Sequence, residues 1–82
     1  MTSSILFESE SKAEAIKAMH EFHHNRPSIK YAVMECFYKP ENSNNLKYHY
    51  VVKRWLDACG GQFVLLSNGI LTKNTFVINW SN

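Results

Sequence analysis

Four histidines and two cysteines are the residues of this 82-residue chain that are best suited to chemistry. The segment from His20 to His24 has the pattern H-E-x-x-H, with Glu21 beside the first histidine. On a helix this spacing places two imidazoles on one face, as in zinc proteases, where the glutamate acts as the base. Here the expected helix places both histidines on its flank and polar side, away from any sheet that would supply a third ligand. We therefore expect a solvated helix end that binds zinc or nickel only incidentally, and no protease.

A cysteine nucleophile is the second possibility, with Cys36 or Cys59 paired to a histidine such as His49. Such a thiol needs exposure and an electropositive neighbour before it becomes a thiolate. Both cysteines occupy apolar positions of expected regular elements, so we expect buried, reduced and unreactive thiols. The sequence also has no glycine-rich loop before a helix and no evident pair of catalytic carboxylates. We predict no catalytic residue, no metal and no cofactor, and a protein that is not an enzyme.

The strongest binding signal is a group of cationic and aromatic residues between positions 47 and 54. On a helix they share one polar face, and we predict that they bind the partner: Lys47, His49, Tyr50, Lys53 and Arg54. Such a face suits an acidic patch on a protein or the phosphates of a nucleic acid. The alternative is an ordinary solvated helix face, balanced in part by Asp57.

The element expected to carry these residues is a helix over 45–60. Its apolar residues recur at helical spacing and fill one arc, which comprises Tyr48, Val51, Val52, Trp55, Leu56, Ala58 and Cys59. Gly60-Gly61 provides the stop. Residues 48–52 also have strong β-propensity and could pair with the preceding strand instead. We favour the helix because the apolar period continues to the glycines.

The remaining segments complete the order β-α-β-α-β-β. Residues 5–7 form a short strand, and a helix begins at Ser11 with a capping box that Glu14 completes. Residues 30–39 form a central strand that is covered on both faces. A hairpin turns at Asn68-Gly69, and residues 75–80 form the last strand. We predict an α+β fold in which a mixed four-stranded sheet packs with two helices, as a single domain over 1–82. Its predicted core contains Ile16, Met19, Phe22, Val52, Trp55, Phe63, Leu65, Phe76 and Ile78.

Composition restricts the function further. The net charge of +2 is weaker than that of a dedicated nucleic-acid binder, and its sign is wrong for an acidic DNA mimic. No signal peptide and no run of about 20 apolar residues is present, so we expect a cytoplasmic protein that does not enter a membrane. The nine tyrosine, tryptophan and phenylalanine residues after position 30 exceed what so small a core can hold, so some must lie at the surface.

These observations favour a binding module that acts by protein–protein contact, as an inhibitor or adaptor. No motif identifies a family. In size and in its lack of catalytic motifs, the chain looks like the small proteins of phages and mobile elements that block host nucleases or CRISPR-type defence complexes; this is analogy alone. The alternative function is nucleic-acid binding through the cationic helix. The last strand should form a sheet edge, which could pair with a second copy in a homodimer.

Overall fold

A computed structural model describes residues 5–60 and 63–82. Its elements are β1 (Phe7–Ser9), α1 (Lys12–Asn25), β2 (Tyr31–Tyr38), β3 (Lys47–Arg54), α2 (Trp55–Gly60), β4 (Val64–Leu65), β5 (Leu71–Thr72) and β6 (Asn74–Trp80). Four strands form one sheet in the order β1-β3-β2-β6, and β4 and β5 form a separate two-stranded sheet. The predicted α+β class, with one four-stranded sheet and two helices, is confirmed. The main sheet is antiparallel throughout, whereas we expected a mixed one.

The helix predicted over 45–60 is wrong for most of its length. Residues Lys47–Arg54 form strand β3, which pairs with β2 from Tyr31↔Arg54 to Tyr38↔Lys47, and only Trp55–Gly60 is helical. The observed order is therefore β-α-β-β-α-β-β-β. Aromatic and β-branched residues fit a pleated sheet well, and here the long pairing with β2 outweighs the local helical period. Gly61, the second residue of the predicted glycine stop, lies outside the described residues.

The first helix begins as predicted, but its capping box is only half formed. Ser11 is the N-cap, and its hydroxyl accepts a hydrogen bond from the backbone N–H of Glu14 at 3.2 Å. The Glu14 carboxylate does not return to the Ser11 backbone; it accepts instead from the Ser9 hydroxyl at 3.1 Å. The Ser9 hydroxyl oxygen in turn accepts from the Ser11 N–H at 3.0 Å. Ser9 thus takes over the second half of the motif and links β1 to α1.

The main sheet is covered on both faces, so the molecule has three layers. On one face α1 packs against a cluster whose buried members are Ala15, Met19, Tyr31, Val33 and Val52. On the other face α2 and the β4–β5 hairpin pack against Ala32, Met34, Cys36, Val51, Ala58, Val64 and Leu66. The central position predicted for the second strand is confirmed, since β2 lies between β3 and β6.

The predicted core is correct for six of its nine residues. Met19 and Val52 are fully buried, and four others pack against the clusters while partly exposed, namely Ile16, Phe22, Trp55 and Ile78. Phe63, Leu65 and Phe76 are exposed, so their assignment to the core is wrong. Leu65 and Phe76 lie on strands, where successive side chains alternate between an inner and an outer face.

The predicted hairpin at Asn68-Gly69 is confirmed. The Leu66 N–H donates to the Ile70 carbonyl at 2.9 Å, and Gly69 has a φ of +89°, a conformation that favours glycine. The Asn68 side chain accepts from the Ile70 N–H at 3.0 Å, which fixes the turn. Within the described residues, no helix is long and apolar enough to cross a membrane.

Candidate functional site

The five predicted partner-binding residues lie on strand β3 and are divided between its two faces. Side chains alternate along a strand, so Lys47, His49 and Lys53 share the face covered by the hairpin and α2. Tyr50 and Arg54 share the face that carries α1. The single cationic helix face is therefore a wrong prediction, because it assumed a period of 3.6 residues where the observed period is two.

Lys47 and His49 lie close to two glutamates. Lys47 Nζ lies 3.2 Å from Glu10 Oε1, and His49 Nε2 lies 3.5 Å from the same oxygen. His49 Nδ1 is 3.9 Å from Glu8 Oε2, and the Glu8 carboxylate also accepts from the Ser67 N–H at 3.0 Å and the Ser67 hydroxyl at 2.6 Å. His49 is only 8% exposed. Glu8 and Ser67 thus join β1 to the hairpin and His49 is covered, whereas the Lys47–Glu10 pair lies at the surface with both side chains at least half exposed.

Tyr50 is likewise engaged inside the molecule. Its hydroxyl donates to Glu35 Oε2 at 3.1 Å, across the register pair that β2 and β3 form at this position. Partial burial, followed by this hydrogen bond and the negative charge of Glu35, raises the pKa of Tyr50 above its usual value. The phenol is therefore a neutral donor at physiological pH, and it locks the two strands together.

The cysteine and histidine candidates do not form a reactive site. Cys36 is buried as predicted, and burial raises the pKa of its thiol, which keeps it protonated. His49 lies opposite Cys36 in the register, yet neither of its ring nitrogens has a hydrogen-bond partner. Cys59 is exposed, so its predicted burial is wrong, and both cysteines are free.

The H-E-x-x-H segment lies on α1 as predicted. His20 and His24 are exposed on the helix surface, whereas His23 Nδ1 lies 2.9 Å from the Ile29 carbonyl oxygen. Within residues 5–60 and 63–82, no group of three or more histidine, cysteine, aspartate or glutamate side chains is arranged to hold a metal ion. At most the two exposed imidazoles of His20 and His24 could therefore contact a metal ion here.

The sheet register and the connection from α1 to β2 place four cations and two tryptophans at one end of the molecule. Lys53 and Trp80 both lie opposite Ala32, on β3 and β6 respectively, and Arg54 lies opposite Tyr31. The residues of this group, called the basic end below, are Arg26, Lys30, Lys53, Arg54, Trp55 and Trp80. Lys53 and Arg54 end β3, and Trp80 ends β6. The other three directly flank an element: Arg26 follows α1, Lys30 precedes β2 and Trp55 follows β3.

Lys30 organises the two tryptophans of the basic end. Its carbonyl accepts from the Trp55 N–H at 2.9 Å, and its Nζ lies 4.0 Å from the Trp55 ring centroid and 6.0 Å from that of Trp80. The two indole centroids are 5.9 Å apart with the rings tilted by 59°. A cation over an indole face contributes about 0.5–2 kcal/mol, depending on its exposure. Trp55 also packs against the core, whereas Trp80 is 48% exposed.

The positive charge of the basic end lies mostly at the surface. Arg26, Lys30 and Arg54 are exposed, and none of the four cations forms an ion pair with a described residue. Lys53 differs because it is only 7% exposed, so neighbouring side chains cover its aliphatic stem. The described ion pairs all lie around Lys47 and His49, at the opposite end of β3. Of the two predicted partner-binding residues in the basic end, Arg54 is exposed and has no described ion pair, whereas Lys53 is buried.

Three members of the basic end could not be recognised as such from the sequence. Arg26, Lys30 and Trp80 are all far from Arg54 along the chain. The strong β-propensity of residues 48–52 is the sequence feature that could have revealed part of this group. If this segment is paired with 31–38, Arg54 lies beside Tyr31 and therefore close to Lys30.

Comparison of the chain with protein-family models, with curated proteins and with solved structures finds no match.

Proposed function

We propose that this protein is a non-enzymatic binding module that acts in the cytoplasm by protein–protein contact, as an inhibitor or adaptor. Its basic end contacts an acidic patch on the partner. The observation that carries this proposal is the group of three exposed cations without a described ion pair, beside two tryptophans whose rings are in contact. The two free cysteines agree with a reducing compartment.

The residue types of the basic end are those that dominate binding energy in protein interfaces. Tryptophan and arginine are enriched among hot-spot residues, and a few such anchors provide most of the affinity. Trp55 and Trp80 contact each other and lie beside Lys30, and contacts that restrict side chains before binding lower the cost of ordering them. The surrounding cations attract an acidic surface over long range, which raises the association rate and makes it sensitive to salt.

Charge reversal at two exposed positions tests the proposal. The variant Arg26→Glu/Arg54→Glu changes the basic end without altering a buried side chain. The matched control is Lys12→Glu/Lys17→Glu, which makes the same change in net charge on exposed positions of α1. Each variant is tagged, expressed in the native host and used for affinity capture after nuclease treatment, and captured proteins are measured against the wild type. Circular dichroism confirms that both variants are folded.

We expect one or more protein partners to be retained by the wild type and by the control, and to be lost from the basic-end variant. For the purified partner, the association rate should fall for the basic-end variant and decrease with added salt for the wild type. Equal capture by both variants would show that the basic end is only a solvated surface.

Nucleic acid is the second candidate ligand, since the same cations can contact phosphates and the exposed Trp80 ring can stack on a base. Fluorescence anisotropy with labelled single-stranded oligonucleotides separates the two functions. If oligonucleotides bind the wild type and the control but not the basic-end variant, and if nuclease removes the captured partners, the ligand is a nucleic acid. The short, clustered arrangement of the cations favours the protein, because strand binders usually track the backbone with a longer basic groove.

A further inference from the structure

The face of the main sheet that carries α1 also holds one carboxylate among aromatic rings. Glu35 lies in the middle strand β2, and the register places it between Tyr50 on β3 and Phe76 on β6. Phe37 is two positions further along β2, so its side chain lies on the same face. Tyr48 lies opposite Phe37 on β3. These five residues are called the aromatic–acidic site below.

The rings of the aromatic–acidic site contact one another and are open to solvent at both ends. The ring centroids of Tyr48 and Phe37 are 5.8 Å apart, and those of Phe37 and Phe76 are 6.0 Å apart with an interplanar angle of 20°. Phe37 is partly buried, whereas Tyr48 is 42% and Phe76 is 55% exposed. A continuous aromatic surface therefore exists beside Glu35 before any partner binds.

The carboxylate of Glu35 has a neutral partner but no cationic one among the described residues. The Tyr50 hydroxyl donates to Glu35 Oε2 at 3.1 Å, and the described ion pairs involve only Glu8 and Glu10. A carboxylate accepts hydrogen bonds at up to about four lone-pair positions, so Glu35 has capacity for further donors. Because Glu35 is also partly buried, a cation that pairs with it would interact more strongly than it would with a fully solvated carboxylate.

We propose that the aromatic–acidic site binds an arginine side chain of a partner protein. The guanidinium group is planar, so it stacks on an aromatic ring while its N–H groups donate to a carboxylate. Glu35 with Phe37 and Phe76 beside it offers both kinds of contact. A lysine ammonium is more strongly hydrated and has no plane to stack, and a quaternary ammonium has no N–H to donate. A nucleic acid is disfavoured because its phosphates would approach the negative charge of Glu35.

The aromatic–acidic site is separate from the basic end, which holds both arginines of this chain, Arg26 and Arg54. Arg54 is four positions from Tyr50 along β3, which corresponds to about 13 Å at roughly 3.3 Å per residue. Tyr50 lies opposite Glu35, so Arg54 is too far along the sheet to pair with the Glu35 of its own chain. This inference therefore goes beyond the proposed function, because it adds a second contact surface of opposite charge.

Titration with two matched peptides provides the test. The probe is an acetylated and amidated glycine–arginine–glycine peptide, and its control carries citrulline, which keeps the shape of the arginine side chain but has no charge. Binding to the ¹⁵N-labelled wild type is followed by NMR. We expect saturable shifts of the Glu35, Tyr50 and Phe76 signals with the arginine peptide, at millimolar affinity because only one side chain binds. The citrulline peptide should bind about tenfold more weakly, since a hydrogen bond between two charged groups is replaced by one to a neutral group.

Variants of the protein locate the contact. Glu35→Gln removes the charge but keeps an oxygen that accepts from the Tyr50 hydroxyl, and it should weaken binding of the arginine peptide about tenfold. Phe76→Leu removes an exposed ring and should weaken binding roughly threefold, through loss of the cation–π contact. The matched control is Asp57→Asn, which removes the same charge from an exposed position on α2, on the other side of the sheet. It should bind like the wild type, and circular dichroism confirms that each variant is folded.

Equal binding of the arginine and citrulline peptides to the wild type would overturn the proposal, and this comparison does not depend on the folding of any variant. Equal binding of the arginine peptide to Glu35→Gln and to the wild type would also overturn it. Sedimentation equilibrium without peptide tests the source of the arginine: self-association that both Glu35→Gln and Arg54→Glu abolish would assign it to a second copy and not to another protein. The variant Arg26→Glu/Arg54→Glu should still bind the peptide, so this titration and the basic-end capture experiment succeed or fail independently.

Discussion

Replacing Met19 or Met34 by alanine tests the three-layer architecture directly. Met19 is fully buried between α1 and the sheet, and Met34 is 2% exposed on the opposite face, under the hairpin and α2. Truncating a buried methionine to alanine costs about 2–5 kcal/mol, because apolar contact is lost and a cavity remains. A domain of this size has a total stability of roughly 4–12 kcal/mol, so either substitution removes a large share of it.

The assay is urea unfolding monitored by circular dichroism, and thermal melts are measured in parallel. Each methionine variant should lower the melting temperature by at least about 8 °C, given roughly 4–8 °C per kcal/mol for a domain of this length. The control Leu56→Ala removes a similar side chain from an exposed position and should change stability by less than about 0.5 kcal/mol. If Met19→Ala melts like this control, α1 does not pack on the sheet as described; the same result for Met34→Ala would contradict the second layer.

Two further outcomes follow from local features. Native protein should react with iodoacetamide at Cys59 alone, and Cys36 should become reactive only in denaturant; rapid modification of two thiols per native chain would contradict the burial of Cys36. Burial raises the pKa of Cys36 in the folded state, so the folded protein holds this proton more tightly than the unfolded chain does. The resulting stabilisation is present below the unfolded pKa and is lost as pH rises through the folded pKa. In alkaline urea titrations, Cys36→Ala should therefore lose less stability than the wild type above about pH 9. Gly69→Ala should destabilise the hairpin turn by about 1 kcal/mol, because alanine at φ +89° is strained, and an unchanged urea midpoint would show that the turn rearranges freely.

The elements that the sequence predicts correctly are those that depend on local signals. The N-cap of α1 is set by Ser11 and Glu14, and the hairpin is set by Asn68 and Gly69, so each needs only a few neighbouring residues. Strand β2 was also predicted, because an uninterrupted apolar run indicates a strand that is covered on both faces.

Strand β3 was mistaken for a helix because both of its faces are also buried. Val51 and Val52 are adjacent yet both fully buried, one in each core layer, so the alternation that identifies a half-exposed strand is absent. Adjacent apolar residues followed three positions later by Trp55 then match a helical period. The decisive energy comes from pairing with β2, which no local pattern contains.

The candidate site depends on the same long-range information. Lys53 and Arg54 were recognised as cations that could meet a partner, but their neighbours are set by the register between β2, β3 and β6. Only that register brings Lys30 and Trp80 next to them. The sequence therefore shows which residue types could bind a partner, but only the tertiary structure shows which of them lie together in the basic end.

The hydrogen bonds between Ser67 and Glu8 have a consequence for the order of folding. Strand β1 pairs with β3 over only three positions, and the two hydrogen bonds from Ser67 to Glu8 span 59 residues of sequence. Closing so large a loop is entropically costly, while the β4–β5 hairpin and the β2–β3 pair close much shorter ones. We expect β1 to join last and to detach first, as a unit of low local stability. Because β1 carries the Glu8 carboxylate that binds Ser67, each detachment of β1 also breaks these two hydrogen bonds to the β4–β5 hairpin. The stability of the hairpin layer therefore depends on a strand of only three residues.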